Sequence, residues 1–215
     1  MCKLKSAIVL KNKIFMPDYD SHSDMLKELG IDDNFIGATK KFVRVELSPE
    51  NGDPFSDIDG WILKVDQDIR PEWWSEEEYK PQIIEKVKEW AKTHIFVGVD
   101  GLKLNTGTNY YIKDCKDVEI TGSATVEAWG SASVEACGSA SVEAWDSASV
   151  KACGSASVEA WGSAVVFNLL YIPWKKQSTL ILSENATFKD HIGKVIYQSG
   201  DFKLVSVESG KSISD

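Results

Sequence analysis

From Asp114 to Leu169 the chain alternates small apolar and polar residues with a regular beat. The segment reads DCKDVEIT, GSATVEAW, GSASVEAC, GSASVEAW, DSASVKAC, GSASVEAW, GSAVVFNL, which is seven octads in succession without an insertion. Within an octad, Ala, Val and Ala usually take positions three, five and seven, while Ser and Glu take four and six. A period of two marks a strand with one buried face. A carboxylate is costly to bury, so the parity of Glu fixes which face is outside. Ala124, Val126, Ala128 and their equivalents are therefore expected to point inward. Gly or Asp at position one and Ser at position two supply the turn. A helix would scatter these residues over every face, and the repeated Gly-Ser pairs would weaken it.

Position eight decides how the octads stack. It runs Thr121, Trp129, Cys137, Trp145, Cys153, Trp161, so the true period is sixteen residues. That predicts a mostly β chain built on a two-sheeted β-solenoid, with two octads per coil and one strand on each of two opposed sheets. Residues sixteen apart then stack at about 4.8 Å. Trp129, Trp145 and Trp161 form a column on one sheet, and Thr121, Cys137 and Cys153 form a column on the other. A three-strand coil would mix Trp with Cys in each column; a flat antiparallel meander would also alternate them, but it leaves the Ala/Val face uncovered unless another layer packs there. The interior of small side chains buries little per strand, so stability rests on continuous ladders and neighbour contacts.

The pattern weakens on both sides. Leu170–Lys175 reads as an insertion. KQSTLILS and ENATFKDH then resume the octad over 176–191, with Leu180, Leu182, Ala186 and Phe188 inward as a closing rung. The tail, 192–215, holds two strand-like runs around Ser199-Gly200-Asp201 and is expected to form a capping hairpin. The N-terminal part, 1–100, is different in kind and predicts a small α+β head domain. Its strand-like runs are 6–10, 13–16, 42–47 and 61–65. Ser21 with Asp24 looks like a capping box for a short helix closed by Gly30. Ser75 with Glu78 opens a second helix to about Thr93, either kinked at Pro81 or starting near it. The solenoid is expected over 101–191, with the head blocking its first edge.

Composition narrows the function classes. The chain has 215 residues and a net charge of −9, and the octads alone contribute −6. An acidic surface argues against binding nucleic acid through phosphates. No apolar run is long enough to span a membrane, and the N-terminus does not read as a signal peptide. The expectation is a cytoplasmic protein with four reduced cysteines. A bridge along the Cys137–Cys153 column is not expected, because Cβ atoms one rung apart stand wider than the usual 3.8 Å or so. No cofactor and no metal motif is legible.

The octads, the preceding run DCKDVEI, and the phrases FVRVELSP and VDQDIRPEWW resemble those of a group of uncharacterised bacteriophage and prophage accessory proteins. These join a short α+β head to a run of strand repeats. The resemblance covers most of the chain and transfers no functional residue. It implies a phage setting inside a bacterial host cell, where proteins of this size often bind host or rival proteins, including defence systems.

The candidate binding residues are Trp129, Trp145 and Trp161 with Glu127, Glu143 and Glu159. Three outward indoles would make a large apolar patch. It could serve the stack itself, a second copy of the chain, or a protein partner. The three glutamates share that sheet, and like charges one rung apart repel by about 1 kcal/mol even in water. The stripe reads either as a solvated face or as a dock for a basic protein. The opposite sheet carries Glu119, Glu135 and Lys151. Enzyme signals are poor. Asp66, Asp68 and Glu72 could make a carboxylate cluster, and none of the three histidines sits in a recognisable motif. The leading expectation is a non-enzymatic, protein-binding inhibitor or adaptor acting on a host protein. A self-assembling structural protein is the first alternative, and an enzyme using the head carboxylates the second.

Overall fold

A computed structural model describes residues 4–32, 40–107, 109–168, 180–189, 195–198 and 203–205. The chain forms two compact units, 1–94 and 95–215.

The first unit is built on a four-stranded antiparallel sheet. Its strands are β1 (Lys5–Leu10), β2 (Lys13–Phe15), β3 (Phe42–Ser48) and β4 (Ile62–Val65), in the order β2-β1-β3-β4. Helix α1 (His22–Glu28) starts where the sequence places it. Ser21 Oγ accepts the Asp24 amide at 3.3 Å, and Gly30 ends the segment with φ +66°. Met25 and Leu26 of α1 pack with Ile8 and Phe42. Helix α2 (Glu76–His94) begins at the Ser75 cap and runs through Pro81, so the later start is not taken. Its buried side chains include Tyr79, Ile83, Ile84, Val87, Trp90 and Ala91. The Tyr79 hydroxyl donates to the Lys11 carbonyl at 2.7 Å, and the Lys5 ammonium lies 5.2 Å from the centre of the Trp90 ring. Strand β1 is buried over Lys5–Val9, since elements cover both its faces.

The second unit is a β-solenoid of two sheets. One, the tryptophan sheet, holds β5 (Ile95–Val97), β7 (Asn109–Lys113), β9 (Thr125–Trp129), β11 (Ser141–Ala144), β13 (Ser157–Ala160) and β15 (Leu180–Leu182). The other, the cysteine sheet, holds β6 (Lys103–Leu104), β8 (Val118–Ile120), β10 (Ser133–Ala136), β12 (Ser149–Ala152), β14 (Val165–Asn168) and β16 (Thr187–Lys189). Neighbours within each sheet are parallel. Val126, Val142 and Val158 stand in register, as do Val118, Val134 and Val150, each offset by sixteen residues. The coil is therefore two octads, as the Trp/Cys alternation requires. The same offset already pairs Ile95 with Tyr111 and Lys103 with Glu119, where no octad is legible. The boundary read at 100–101 compares with a first solenoid strand at Ile95.

The interior is the expected one. Ala124, Val126, Ala128 and their repeats over 132–166 are 0–1% exposed. The closing rung also falls into place. Val158 faces Leu180 and Val166 faces Phe188, offsets of twenty-two, which is one coil plus the six residues 170–175. Leu180, Leu182, Ala186 and Phe188 are all buried. The insertion itself lies outside the described residues.

The tail departs from expectation. β17 (Val195–Gln198) runs antiparallel to β16, and β18 (Lys203–Val205) runs antiparallel to β15. They close one sheet each instead of pairing with one another as a hairpin. The reason is the two open edges: each final parallel strand exposes a row of unpaired backbone groups that needs its own partner.

The thiols depart as well. Cys137 and Cys153 are joined by a disulfide, with Cα atoms 4.7 Å apart. The rung spacing lies inside the Cα range of about 4.4–6.8 Å that a disulfide spans. Cβ spacing alone does not exclude the bridge, because rotation about each Cα–Cβ bond turns the two sulfur atoms toward one another across the rung. Cys115 keeps a buried thiol, placed 3.4 Å from the Lys113 carbonyl oxygen. Cys2 lies outside the described residues.

Candidate functional site

β9, β11 and β13 place the six candidate residues. Each of these strands turns Val and Ala inward, which forces Glu and the last residue of the octad outward. Glu127, Glu143 and Glu159 stand in register on adjacent strands. Trp129, Trp145 and Trp161 stack beside them. The ring centroids are 5.1 Å apart for Trp129–Trp145 and 4.3 Å for Trp145–Trp161, with the planes 14° and 11° from parallel. The face thus carries two parallel columns, one of carboxylates and one of indoles.

Stacking changes what the indoles can offer. The middle ring has both faces covered, so a flat sugar or base cannot intercalate without breaking the column. All three tryptophans are half-buried. Their edges remain as contact surface, which is smaller than three fully outward rings would give. The Trp145 Nε1–H is buried without an acceptor among the described residues.

The carboxylates are also half-buried, unlike Glu119 and Glu135 of the cysteine sheet, which are exposed. Burial, and then the neighbouring charge of Glu143, pushes the Glu127 carboxyl from its ordinary 4.5 up to about 7. The Trp129 Nε1–H, donating to Glu127 Oε2 at 3.4 Å, acts the other way. Burial and the charge of Glu159 raise Glu143 as well. The face is therefore poised to take up protons or cations.

This poise has a pH consequence. An unfolded Glu127 titrates near 4.5 and the folded one near 7. Between those values the native state holds more protons, so stability falls as pH rises. The contribution is complete below the unfolded value and lost above the folded one. Glu127→Gln removes the charge and keeps the acceptor. It is expected to raise solenoid stability by on the order of 1–2 kcal/mol at pH 8 and to change little at pH 4. Urea denaturation at the two pH values checks this, and an equal effect at both would contradict it.

The cysteine sheet offers less. Lys103 pairs with Glu119 at 2.8 Å, and Glu135 stands in register with Lys151. In the head, the three acids considered for chemistry do not form a cluster. Asp68 and Glu72 are exposed, and Asp66 instead approaches His22 and Glu46. The sequence hides this grouping, because its members sit on α1, on β3 and just beyond β4. Only the β3–β4 pairing brings the last two together. No helix among the described residues is long and apolar enough to cross a membrane.

No protein family, curated protein or solved structure matches this chain.

Proposed function

We propose that the chain is a protein-binding module and that the tryptophan–glutamate face is its contact surface. In the setting its resemblance implies, it acts as a phage-encoded inhibitor or adaptor on a protein of the bacterial host's cytoplasm. The single observation that carries this reading is the pair of registered columns on one sheet, three half-buried carboxylates beside three stacked indoles. Half-buried like charges oppose one another, and a cation from a partner relieves that repulsion. The indole edges suit apolar groups, and aromatic anchors dominate many interfaces. The expected partner therefore presents Lys or Arg interleaved with apolar residues.

The alternatives fit this face less well. A second copy docked face to face would bring two acidic columns together. Asp66, Asp68 and Glu72 do not converge as a catalytic cluster would. The binding reading is tested by cross-linking in a bacterial lysate with wild type, Trp145→Ser and Glu143→Lys, each checked for strand content by circular dichroism. A species captured by wild type should be lost with both folded variants, each weakened about thirtyfold or more. Equal capture by all three overturns the assignment. A solution mass that grows with concentration, and stops growing in Trp145→Ser, would instead establish self-assembly.

A further inference from the structure

The head unit holds a grouping that the solenoid face does not use. His22 opens α1, Glu46 lies on β3 and Asp66 follows β4, and one ligand atom from each lies within 4.8 Å of the others. β4 pairs with β3, placing Lys64 opposite Glu46, and the Asp66 amide continues the ladder by donating to the Arg44 carbonyl at 2.9 Å. Residues two apart on a strand share a face, so Asp66 lies on the same side as Lys64 and Glu46. Ile8 and Phe42, the residues against which α1 packs, are on that side too.

The ring of His22 decides what this place can hold. Its Nε2 lies 3.1 Å from the Val45 carbonyl oxygen. A carbonyl only accepts, so Nε2 carries the proton, and a neutral imidazole then keeps its lone pair on Nδ1. Nδ1 stands 3.5 Å from Asp66 Oδ2. The ring lone pair thus faces Asp66, and Glu46 belongs to the same grouping within 4.8 Å. Tying the remaining ring N–H to a backbone carbonyl is how proteins orient a metal-binding histidine. Two ligands held about 2.1 Å from a tetrahedral ion are about 3.4 Å apart, which matches the Nδ1–Oδ2 separation.

We propose that His22 Nδ1, Glu46 and Asp66 bind one divalent transition-metal ion. One imidazole with two carboxylates suits Mn2+, Fe2+ or Zn2+, and suits neither Cu(I), which wants sulfur, nor Ca2+, which wants six or more oxygens. The His22 side chain is 12% exposed and that of Asp66 46%, so the ion enters from the Asp66 side and keeps its remaining positions toward solvent. Arg44 and Lys64 stand on the same face of the β3–β4 ladder as Glu46.

The test uses the full chain, stripped with EDTA and titrated with MnCl2, which prefers oxygen and nitrogen to thiolate and so avoids the cysteines. Water-proton relaxation should count one ion per chain. Amide resonances of His22, Glu46 and Asp66 should broaden first. Asp66→Asn and Glu46→Gln should each weaken binding about tenfold or more, while Asp68→Asn, two residues away, should not. Zn2+ should raise the melting temperature of wild type and not that of Asp66→Asn. The absence of saturable Mn2+ binding below millimolar concentration overturns the site. So does broadening centred elsewhere, or an equal loss in Asp68→Asn. A His22 ring found protonated on both nitrogens in the presence of Mn2+ overturns it as well, since an imidazolium–carboxylate pair would then fill the place. If His22→Gln fails to fold, the carboxylate variants and the broadening map still decide.

Discussion

Asp20→Ala is expected to destabilise the head by about 3–5 kcal/mol, as breaking a buried ion pair from one side does. Lys5 is fully buried, with its ammonium 2.8 Å from Asp20 Oδ1 and 3.4 Å from the Tyr19 carbonyl oxygen. The same carboxylate oxygen accepts the Ser6 amide at 2.9 Å. Alanine at position 20 leaves a buried cation with one weak acceptor and the Trp90 ring, and leaves the Ser6 N–H to find water. The pair is costly to desolvate and need not be stabilising as a whole. Adding Lys5→Met to Asp20→Ala should therefore recover most of the loss, because the methionine chain fills a similar volume without a charge. Urea denaturation of the single and double variants measures both quantities. A loss below about 1 kcal/mol for Asp20→Ala would show that the ammonium reaches solvent.

The second large effect is expected in the solenoid. Gly130→Ala should cost about 2–4 kcal/mol, from a left-handed backbone penalty and overpacking together. Gly130 has φ +66°, and a methyl there would collide with the Asp114 carboxylate one rung away. That carboxylate cannot simply retreat. Its Oδ1 accepts the Ser131 amide at 2.8 Å and the Ser131 hydroxyl at 2.9 Å, and these bonds hold the Asp114 carboxyl below its ordinary range. The corner is organised as a column in which acids alternate with glycines: Asp114, Gly130, Asp146, Gly162, Glu184. The Gly130 amide donates to Asp146 Oδ2 at 3.0 Å, and the Gly162 amide to Glu184 Oε2 at 2.7 Å. Each acid satisfies a turn amide, and the Asp114 carboxylate also fills the space beside Gly130. This explains why one octad opens with Asp146 where its neighbours have glycine. Gly101→Ala is the control, since its φ is also left-handed at +72° and nothing lies within 4 Å of a methyl there. If the two alanines cost the same in thermal unfolding followed by strand ellipticity, the corner is not close-packed.

These effects differ in how far the sequence foreshadows them. The octads reveal the solenoid because identical units must occupy identical environments, and the parity of Glu leaves one choice of inner face. The alternation of Trp and Cys at position eight sets two strands per coil, since only a sixteen-residue lap keeps like beside like. The degenerate closing rung is legible for the same reason, with Leu180, Leu182, Ala186 and Phe188 keeping the parity through a six-residue insertion. The indole and carboxylate columns follow directly.

The rest needed contacts between residues far apart in the chain. The opening strands at Ile95 and Lys103 carry no octad, yet the hydrogen-bonding edge of the next rung recruits them, because an edge pairs with any extended backbone. The same demand sends β17 and β18 to separate sheets. The Cys137–Cys153 bridge depends on side-chain direction, which strand spacing alone does not set. Lys5 with Asp20, and His22 with Glu46 and Asp66, are unremarkable as letters and become chemistry only when a sheet and a helix bring them together. Local alternation and repetition determined the solenoid, because a repeat's environment is supplied by its own neighbours. The head's polar groupings were decided by tertiary structure, because burial and long-range strand pairing choose which charges meet.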